Sequence, residues 1–324
     1  MMKAVLLQKY GSSDDLIFAD VPTPWPKADE ALVRLLYTSI NAADLDYVNG
    51  HPLVRFTGLT KPGYPILGSD LVGVVEEIGP DVTDVQIGDT VWADTSNPLN
   101  YGTFAEYTAL PASSLQKISR EVDLAQAACL PSAGVVALQN VQLKNPAKAG
   151  DTALVNGAGG GIGNIIVQVL SQAGVEVTAV DKESKHEMLM EIGASHTIDY
   201  ENTDYLKVGK QYDYVYDLVC YRSLPKATSI LKKQGQFIML GGSTANILRV
   251  LTTAPLLSKR LQKKIILGAY RTNDHNDLAQ MYQLLKEGKI RPVIDRIIPF
   301  EEMIVGIKAL EAGNVLGKIV IKFD

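Results

Sequence analysis

The sequence predicts an α/β protein: a doubly wound, mainly parallel sheet in the middle of the chain, with a second, β-rich domain built from both ends. Three observations carry this. A strand, a glycine turn and a helix follow one another over residues 151–168. Strand-like and helix-like runs alternate from residue 125 to 270, the pattern of parallel pairing. Short runs punctuated by Pro and Gly fill residues 1–124, and strand character returns after residue 290. The expected division is 1–124 with 271–324 for the β-rich domain and 125–270 for the parallel-sheet domain.

Length and composition bound the classes. A chain of 324 residues is enough for two domains. Hydrophobic content of 46% and charged content of 21% are ordinary for a globular protein. A net charge of -5 leaves no general basic footprint, so a nucleic-acid partner is not expected. No apolar stretch approaches a membrane span. The apolar run at residues 4–7 is too short for a signal segment and reads as a first strand. Cys129 and Cys220 make no disulfide framework and point to a reducing compartment. A cytoplasmic protein without a membrane partner is the expectation.

In chain order, residues 31–37 and 71–78 read as strands of the first domain, with turns at Gly79-Pro80 and Gly88-Asp89. Residues 121–128 and 132–143 have helical spacing, broken by Pro131. Strands are expected at 152–155, 175–180, 197–198, 214–218, 236–240 and 264–267, and helices at 185–192, 223–231 and 278–286. The tail reads as a strand over 293–299, a helix over 301–310 ended by Gly313, and a strand over 318–323. It is expected to return to the first domain.

The glycine turn is the strongest local signal. Gly157, Gly159, Gly160, Gly161 and Gly163 follow the strand at 152–155. Ile162, Ile165, Ile166, Val169, Leu170 and Ala173 then recur at helical spacing up to Gly174. The strict G-x-G-x-x-G spacing is absent, because the sixth position is Ile162 counted from Gly157 and Asn164 counted from Gly159. Glycine instead recurs every third residue, at 157, 160 and 163. Asp181 closes the next strand, 18 residues past Gly163, where an acid meets ribose hydroxyls. This layout sets backbone N–H groups and a helix N-terminus against a phosphate, so a dinucleotide-binding βαβ unit is expected.

Several stretches carry a family resemblance: Met2-Lys-Ala-Val5, Ser39-Ile-Asn-Ala-Ala-Asp44, Pro65-Ile-Leu-Gly-Ser-Asp70 with Gly73-Val-Val and Ile78-Gly79, Gly102-Thr-Phe-Ala-Glu-Tyr107, the glycine turn, Ile198-Asp-Tyr200 and Gly317-Lys-Ile-Val320. In their order and spacing the chain resembles, nearly end to end, the medium-chain dehydrogenase/reductase superfamily in its zinc-free quinone oxidoreductase branch. The resemblance implies a GroES-like catalytic domain and a Rossmann domain, with NAD(P)H in the cleft between them.

It also implies roles for residues. Zinc-dependent alcohol dehydrogenases carry Gly-His-Glu where this chain has Gly68-Ser69-Asp70, and Cys where it has Asn41. The cysteine-rich structural zinc loop is missing, and His51, His186, His196 and His275 are scattered. No metal is expected, because a catalytic zinc needs about three protein ligands. What remains is hydride transfer to a small carbonyl or quinone substrate. Asn41 is expected against the nicotinamide or substrate, and Asp44 in a structural role through nearby backbone. Tyr47 is expected to donate to the substrate oxygen, although the family tyrosine lies one position earlier, at Asp46. Tyr101 and His51 are secondary candidates, and residues 50–64 are expected at the entrance.

For the cofactor, Gly159, Gly160, Gly161 and Ile162 are expected at the pyrophosphate, Tyr200 at the adenine, and Gly241 and Gly242 near the nicotinamide. Val136 stands where relatives have a cofactor-binding Thr, at a cost of about 0.5–1.5 kcal/mol for the lost hydrogen bond. Asp181 favours NADH by accepting from ribose hydroxyls and repelling a 2′-phosphate; Lys182 and Lys185 pull toward NADPH. Val136 and the displaced tyrosine keep open a dinucleotide-binding sensor or structural relative with little turnover, and an alcohol dehydrogenase is the third alternative. By analogy, the edge strand at 264–267 pairs to form a homodimer.

Overall fold

The computed structural model describes residues 1–52, 54–96, 102–143 and 145–324; the secondary candidate Tyr101 lies outside these. An antiparallel pair opens the chain, β1 (Met2–Leu7) and β2 (Leu16–Val21), with Met2 opposite Val21. Then come β3 (Glu30–Ser39), α1 (Ala42–Val48), β4 (Asp70–Ile78), β5 (Thr90–Asp94), β6 (Tyr107–Pro111) and β7 (Gln116–Lys117). Two short helices follow, α2 (Leu124–Ala127) and α3 (Ala133–Val141). The chain forms two compact units, one of Met1–Val135 with Arg271–Asp324 and one of Val136–Tyr270.

The second unit alternates strand and helix. Its elements are β8 (Thr152–Asn156), α4 (Gly161–Gln172), β9 (Glu176–Asp181), α5 (His186–Glu191), β10 (His196–Asp199), β11 (Tyr212–Asp217), α6 (Leu224–Ala227), β12 (Leu231–Met239), α7 (Thr244–Leu261) and β13 (Lys264–Leu267). The strand order is β10-β9-β8-β11-β12-β13, and every neighbouring pair is parallel. Leu154, Val180, Val215, Phe237 and Met239 are buried on this sheet. This is the doubly wound order in which direction reverses at the first strand, so ligands are received outside the carboxyl ends of β8 and β11.

The tail returns to the first unit through α8 (His275–Lys286), β14 (Ile294–Pro299), α9 (Met303–Glu311) and β15 (Lys318–Lys322). β15 pairs antiparallel with β3, placing Val320 opposite Ser39, and parallel with β14. The seven-stranded sheet runs β14-β15-β3-β4-β5-β7, with β6 also on β3. Its core joins Leu35, Ile40 and Phe104 to Ile298, Met303, Ile307 and Ile321 of the tail.

Three expectations differ from the structure. The helix expected over 223–231 is only Leu224–Ala227 and one 3-10 turn, because Leu231 already belongs to β12 and pairs with Tyr212. The helix at 121–128 shrinks to α2, whose first turn is set by the Asp123 carboxylate accepting from Ala125 N and Gln126 N. The 18-residue α7 lies where the sequence reading assigns nothing. It contains Pro255, which reads as a breaker, and its Leu248, Leu251 and Leu256 are exposed. Among the described residues, no helix is long and apolar enough to cross a membrane.

Candidate active site

In the second unit the site begins where β8 ends. The turn from Gly157 leads into α4, whose N-cap is Gly160, with no side-chain cap. The first bond of the helix is Asn164 N to Gly160 O, 3.1 Å. The N–H groups of Gly161, Ile162 and Gly163 have no acceptor among the described residues. Three open donors at the positive end of a helix dipole form an anion cradle. The glycines divide the work. A Cβ on Gly163 would lie 2.3 Å from Gly157 O and 2.7 Å from Ala158 O, so that glycine lets α4 press onto the turn. A Cβ on Gly160 would meet only Gly157 O, at 3.5 Å, so the protein leaves the space in front of Gly160 open. Open space beside unpaired N–H groups fits a dinucleotide pyrophosphate, which a bare backbone must approach closely.

Gly159 has a different reason to be glycine. Its N–H donates to Asp181 Oδ2 at 2.7 Å, and a Cβ there would lie 2.4 Å from Lys185 Cδ. Asp181, at the end of β9, also accepts from Lys182 N at 2.9 Å and pairs with Lys185 Nζ at 3.3 Å; the aspartate is buried and the lysine half-buried. Tyr200 is exposed just beyond β10, where Asp199 lies level with Asp181. Gly241 and Gly242 follow β12. A Cβ on Gly241 would lie 2.1 Å from Leu218 O, so packing between the loops already requires that glycine. Asn156 and Asp217, which the sequence reading did not single out, tie two strand ends together. Asp217 Oδ1 accepts from Asn156 Nδ2 (2.8 Å), Val219 N (3.1 Å) and Cys220 N (2.8 Å). Val136 is half-buried in α3, with its carbonyl accepting from Asn140 Nδ2 at 2.8 Å.

In the first unit, Asn41 caps α1 at the centre of a buried polar cluster. Its Oδ1 accepts from Lys318 Nζ at 2.5 Å, and its Nδ2 donates to Ser69 Oγ at 3.0 Å and Asp70 Oδ2 at 2.8 Å. Lys318 Nζ also lies 3.2 Å from Asp70 Oδ2, with side chains only 3% and 0% exposed. Asp70 further accepts from Ser39 Oγ and, at 2.8 Å, from Ser132 N. The Asp70 carboxylate thus accepts from four donors, as a buried ion pair requires. Sequence reading expected Asn41 against the nicotinamide or substrate, but flagged Ser69 and Asp70 only where zinc enzymes carry other residues, and Lys318 only as part of a motif. The available signal was a lysine placed directly before the apolar run Ile319-Val320-Ile321 of a strand at the sheet interior.

Asp44 accepts from Asn41 N at 2.7 Å, as the structural role expected for it implies. Burial nevertheless pushes its carboxyl from the ordinary 3.8 up to about 7, against the opposing pull of the Asn41 N–H and the Lys318 charge. A carboxyl with a raised folded pKa holds its proton in the folded state between about pH 4 and 7 while the unfolded chain has lost it. Stability from this group is therefore present at low pH and lost as pH rises through about 7. Asp44→Asn keeps an acceptor for Asn41 N and removes the titration. Urea unfolding across this range is expected to show the variant gaining on the wild type with rising pH; parallel profiles refute the shift.

Tyr47 stands apart from this cluster. Burial raises its phenol, and its hydroxyl lies 3.4 Å from Thr57 Oγ1, which itself donates to Val54 O. Among the described residues no hydrogen bond joins Tyr47 to Asn41.

The comparisons with known proteins agree across the whole chain. Residues 27–120 match the alcohol dehydrogenase GroES-like domain, and residues 192–321 match a domain described as zinc-binding dehydrogenase. The chain is 30% identical to the chloroplast envelope quinone oxidoreductase homolog of Arabidopsis thaliana, over 99% of this chain and 98% of that protein. It is 28% identical to 2-methylene-furan-3-one reductase of Solanum lycopersicum, over 99% of this chain and 79% of the relative. Among solved structures, the quinone oxidoreductase from Coxiella burnetii aligns with a TM-score of 0.87 at 28% identity, over 99% of both chains.

Proposed function

The chain belongs to the medium-chain dehydrogenase/reductase superfamily, in its quinone oxidoreductase-like branch, and we propose that it uses NAD(P)H to reduce quinones or α,β-unsaturated carbonyls without zinc. It is an oxidoreductase with a nicotinamide dinucleotide as cofactor. The observation that carries the reading is the cradle before α4, where three N–H groups and the clear space at Gly160 await an anion. The bound cofactor supplies hydride. The chain's own Gly161, Ile162 and Gly163 hold the pyrophosphate, while Asn41 and its neighbours bear on the substrate side.

Electrostatics support the absence of zinc. The ammonium of Lys318 already fills the cationic place between Asn41 and Asp70. A dication set beside it meets like-charge repulsion in a buried site. Among the described residues no three His, Cys, Asp or Glu side chains gather as metal ligands.

We favour NADH. Asp181 lies at the ribose end of the cradle, and its carboxylate is fixed by Gly159 N and Lys185. The same Lys185 offsets part of that charge, so NADPH is disfavoured rather than excluded. The open edge of β13 supports a homodimer formed by strand pairing across it, which sedimentation equilibrium tests.

The experiment is a steady-state panel of both reduced cofactors against quinones, enones, alkenals, aldehydes and alcohols, with and without chelator. Turnover of enones or quinones that chelator leaves unchanged, with tighter NADH binding, is expected. Turnover of alcohols alone, restored by zinc, overturns the reading; cofactor binding without turnover of any acceptor favours a nucleotide-binding protein of another role.

A further inference from the structure

We propose that Ser69 is a substrate-binding residue whose hydroxyl, polarised by Lys318 through Asn41, donates a hydrogen bond to the substrate oxygen on which charge develops. This rests on the reductase reading and adds the group that meets the acceptor's oxygen.

The hydrogen-bond directions leave little choice. Lys318 is a donor only, so Asn41 presents Oδ1 to it and turns Nδ2 toward Ser69 and Asp70. Both N–H bonds of the amide and its strongest acceptor position are thereby spent inside the protein. Asn41 is a positioning residue. Ser69 Oγ receives the Asn41 N–H, so the hydroxyl proton of Ser69 points to some other acceptor. Among the described residues none is in range. The residue is only 8% exposed. Its backbone is pinned, with the Ser69 carbonyl accepting from Thr95 N at 2.7 Å and Thr95 Oγ1 at 3.2 Å. A buried hydroxyl without an acceptor is unfavourable, and an incoming oxygen relieves it.

The chain of bonds gives that hydroxyl direction and strength. An ammonium on the amide oxygen makes the amide N–H a stronger donor, and that bond in turn makes the Ser69 O–H a stronger donor. A neutral hydroxyl strengthens its bond most to the oxygen that becomes negative, which selects the transition state over the ground state. The balance of the step is simple. Hydride, with its electron pair, leaves the reduced nicotinamide, which is oxidised, and forms a C–H bond at the electron-poor carbon of the acceptor. The π pair shifts to the carbonyl oxygen, which Ser69 stabilises without giving up its proton. Water supplies the proton that completes the product.

Ser69→Ala and Ser69→Thr are compared with the wild type on two acceptors: 2-cyclohexenone, whose oxygen gains charge, and an arylidene malononitrile, which accepts hydride without an oxygen. Ser69→Ala is expected to lower kcat on the enone by on the order of 100-fold, while cofactor affinity and the malononitrile rate stay within about twofold, and Ser69→Thr restores most of the enone rate. An Ser69→Ala rate on the enone within about twofold of wild type overturns the proposal while leaving the reductase reading intact, as does an equal loss on both acceptors. A wild type that binds cofactor yet reduces neither acceptor overturns both.

Discussion

A Gly160→Val protein keeps the wild-type fold and binds reduced nucleotide at least about 100-fold more weakly. The backbone at Gly160, φ -86° and ψ 179°, is open to any residue. The new Cβ meets only Gly157 O at 3.5 Å, an ordinary contact. Folding stability is therefore expected to change by less than about 1 kcal/mol. The isopropyl group instead occupies the approach to the open N–H groups at the start of α4. Two hydrogen bonds to a charged phosphate are worth about 1.5–3 kcal/mol each, and about 1.4 kcal/mol is a factor of ten in affinity. Gly163→Ala is the control with the opposite signature, because its Cβ is driven to 2.3 Å from Gly157 O. Overpacking of that kind costs about 1–3 kcal/mol of stability. Fluorescence titration with NADH and urea unfolding separate the two effects. Retention of affinity within threefold by Gly160→Val removes the pyrophosphate from this corner.

The difference between these two glycines marks the limit of what the sequence discloses. Both are visible as members of a turn after a strand, and the alternation around them is enough to anticipate the parallel sheet and the place of Asp181. Which glycine makes room for a ligand and which for the helix is a matter of distances across the turn. Gly159, expected at the pyrophosphate, carries the further surprise that its N–H is spent on Asp181. The i,i+4 spacing of Asp181 and Lys185 is plain in the sequence, but the burial that makes it a firm pair is not. The Asn41 cluster is harder still. Asn41 and Lys318 meet across 277 positions, and Asp70 and Lys318 across 248. Local periodicity sees Lys318 only as the first residue of a strand. It is the pairing of β15 with β3, itself a long-range event, that carries the ammonium beside Asn41. Helix α7 escaped for a local reason: Pro255 breaks the pattern, although its missing N–H removes only one helical bond. The short α6 reflects tertiary override, since Leu231 is claimed by the sheet.

Replacing Lys318 by methionine is expected to cost about 3–5 kcal/mol of stability, because it leaves the fully buried Asp70 carboxylate without its counter-charge. The size follows from what remains. Ser39 Oγ, Ser132 N and Asn41 Nδ2 still donate to Asp70, so the loss is of charge compensation and of the Asn41 Oδ1 partner, not of all hydrogen bonds. Methionine keeps most of the volume of the lysine stem, so a cavity contributes little. If uncompensated charge is the cause, Asp70→Asn in the same chain restores the greater part, because a neutral amide still accepts from Ser39 or Ser132. A non-additive double-mutant cycle by urea unfolding is the measurement. A cost below about 1 kcal/mol for Lys318→Met, or strictly additive losses in the double variant, shows that the ion pair does not hold this cluster. Activity provides the second readout. With the charge gone from Asn41 Oδ1, the amide no longer has a fixed orientation, and the enone rate falls in the double variant even where stability has returned. Recovery of both together means that the ammonium serves the fold and not the reaction.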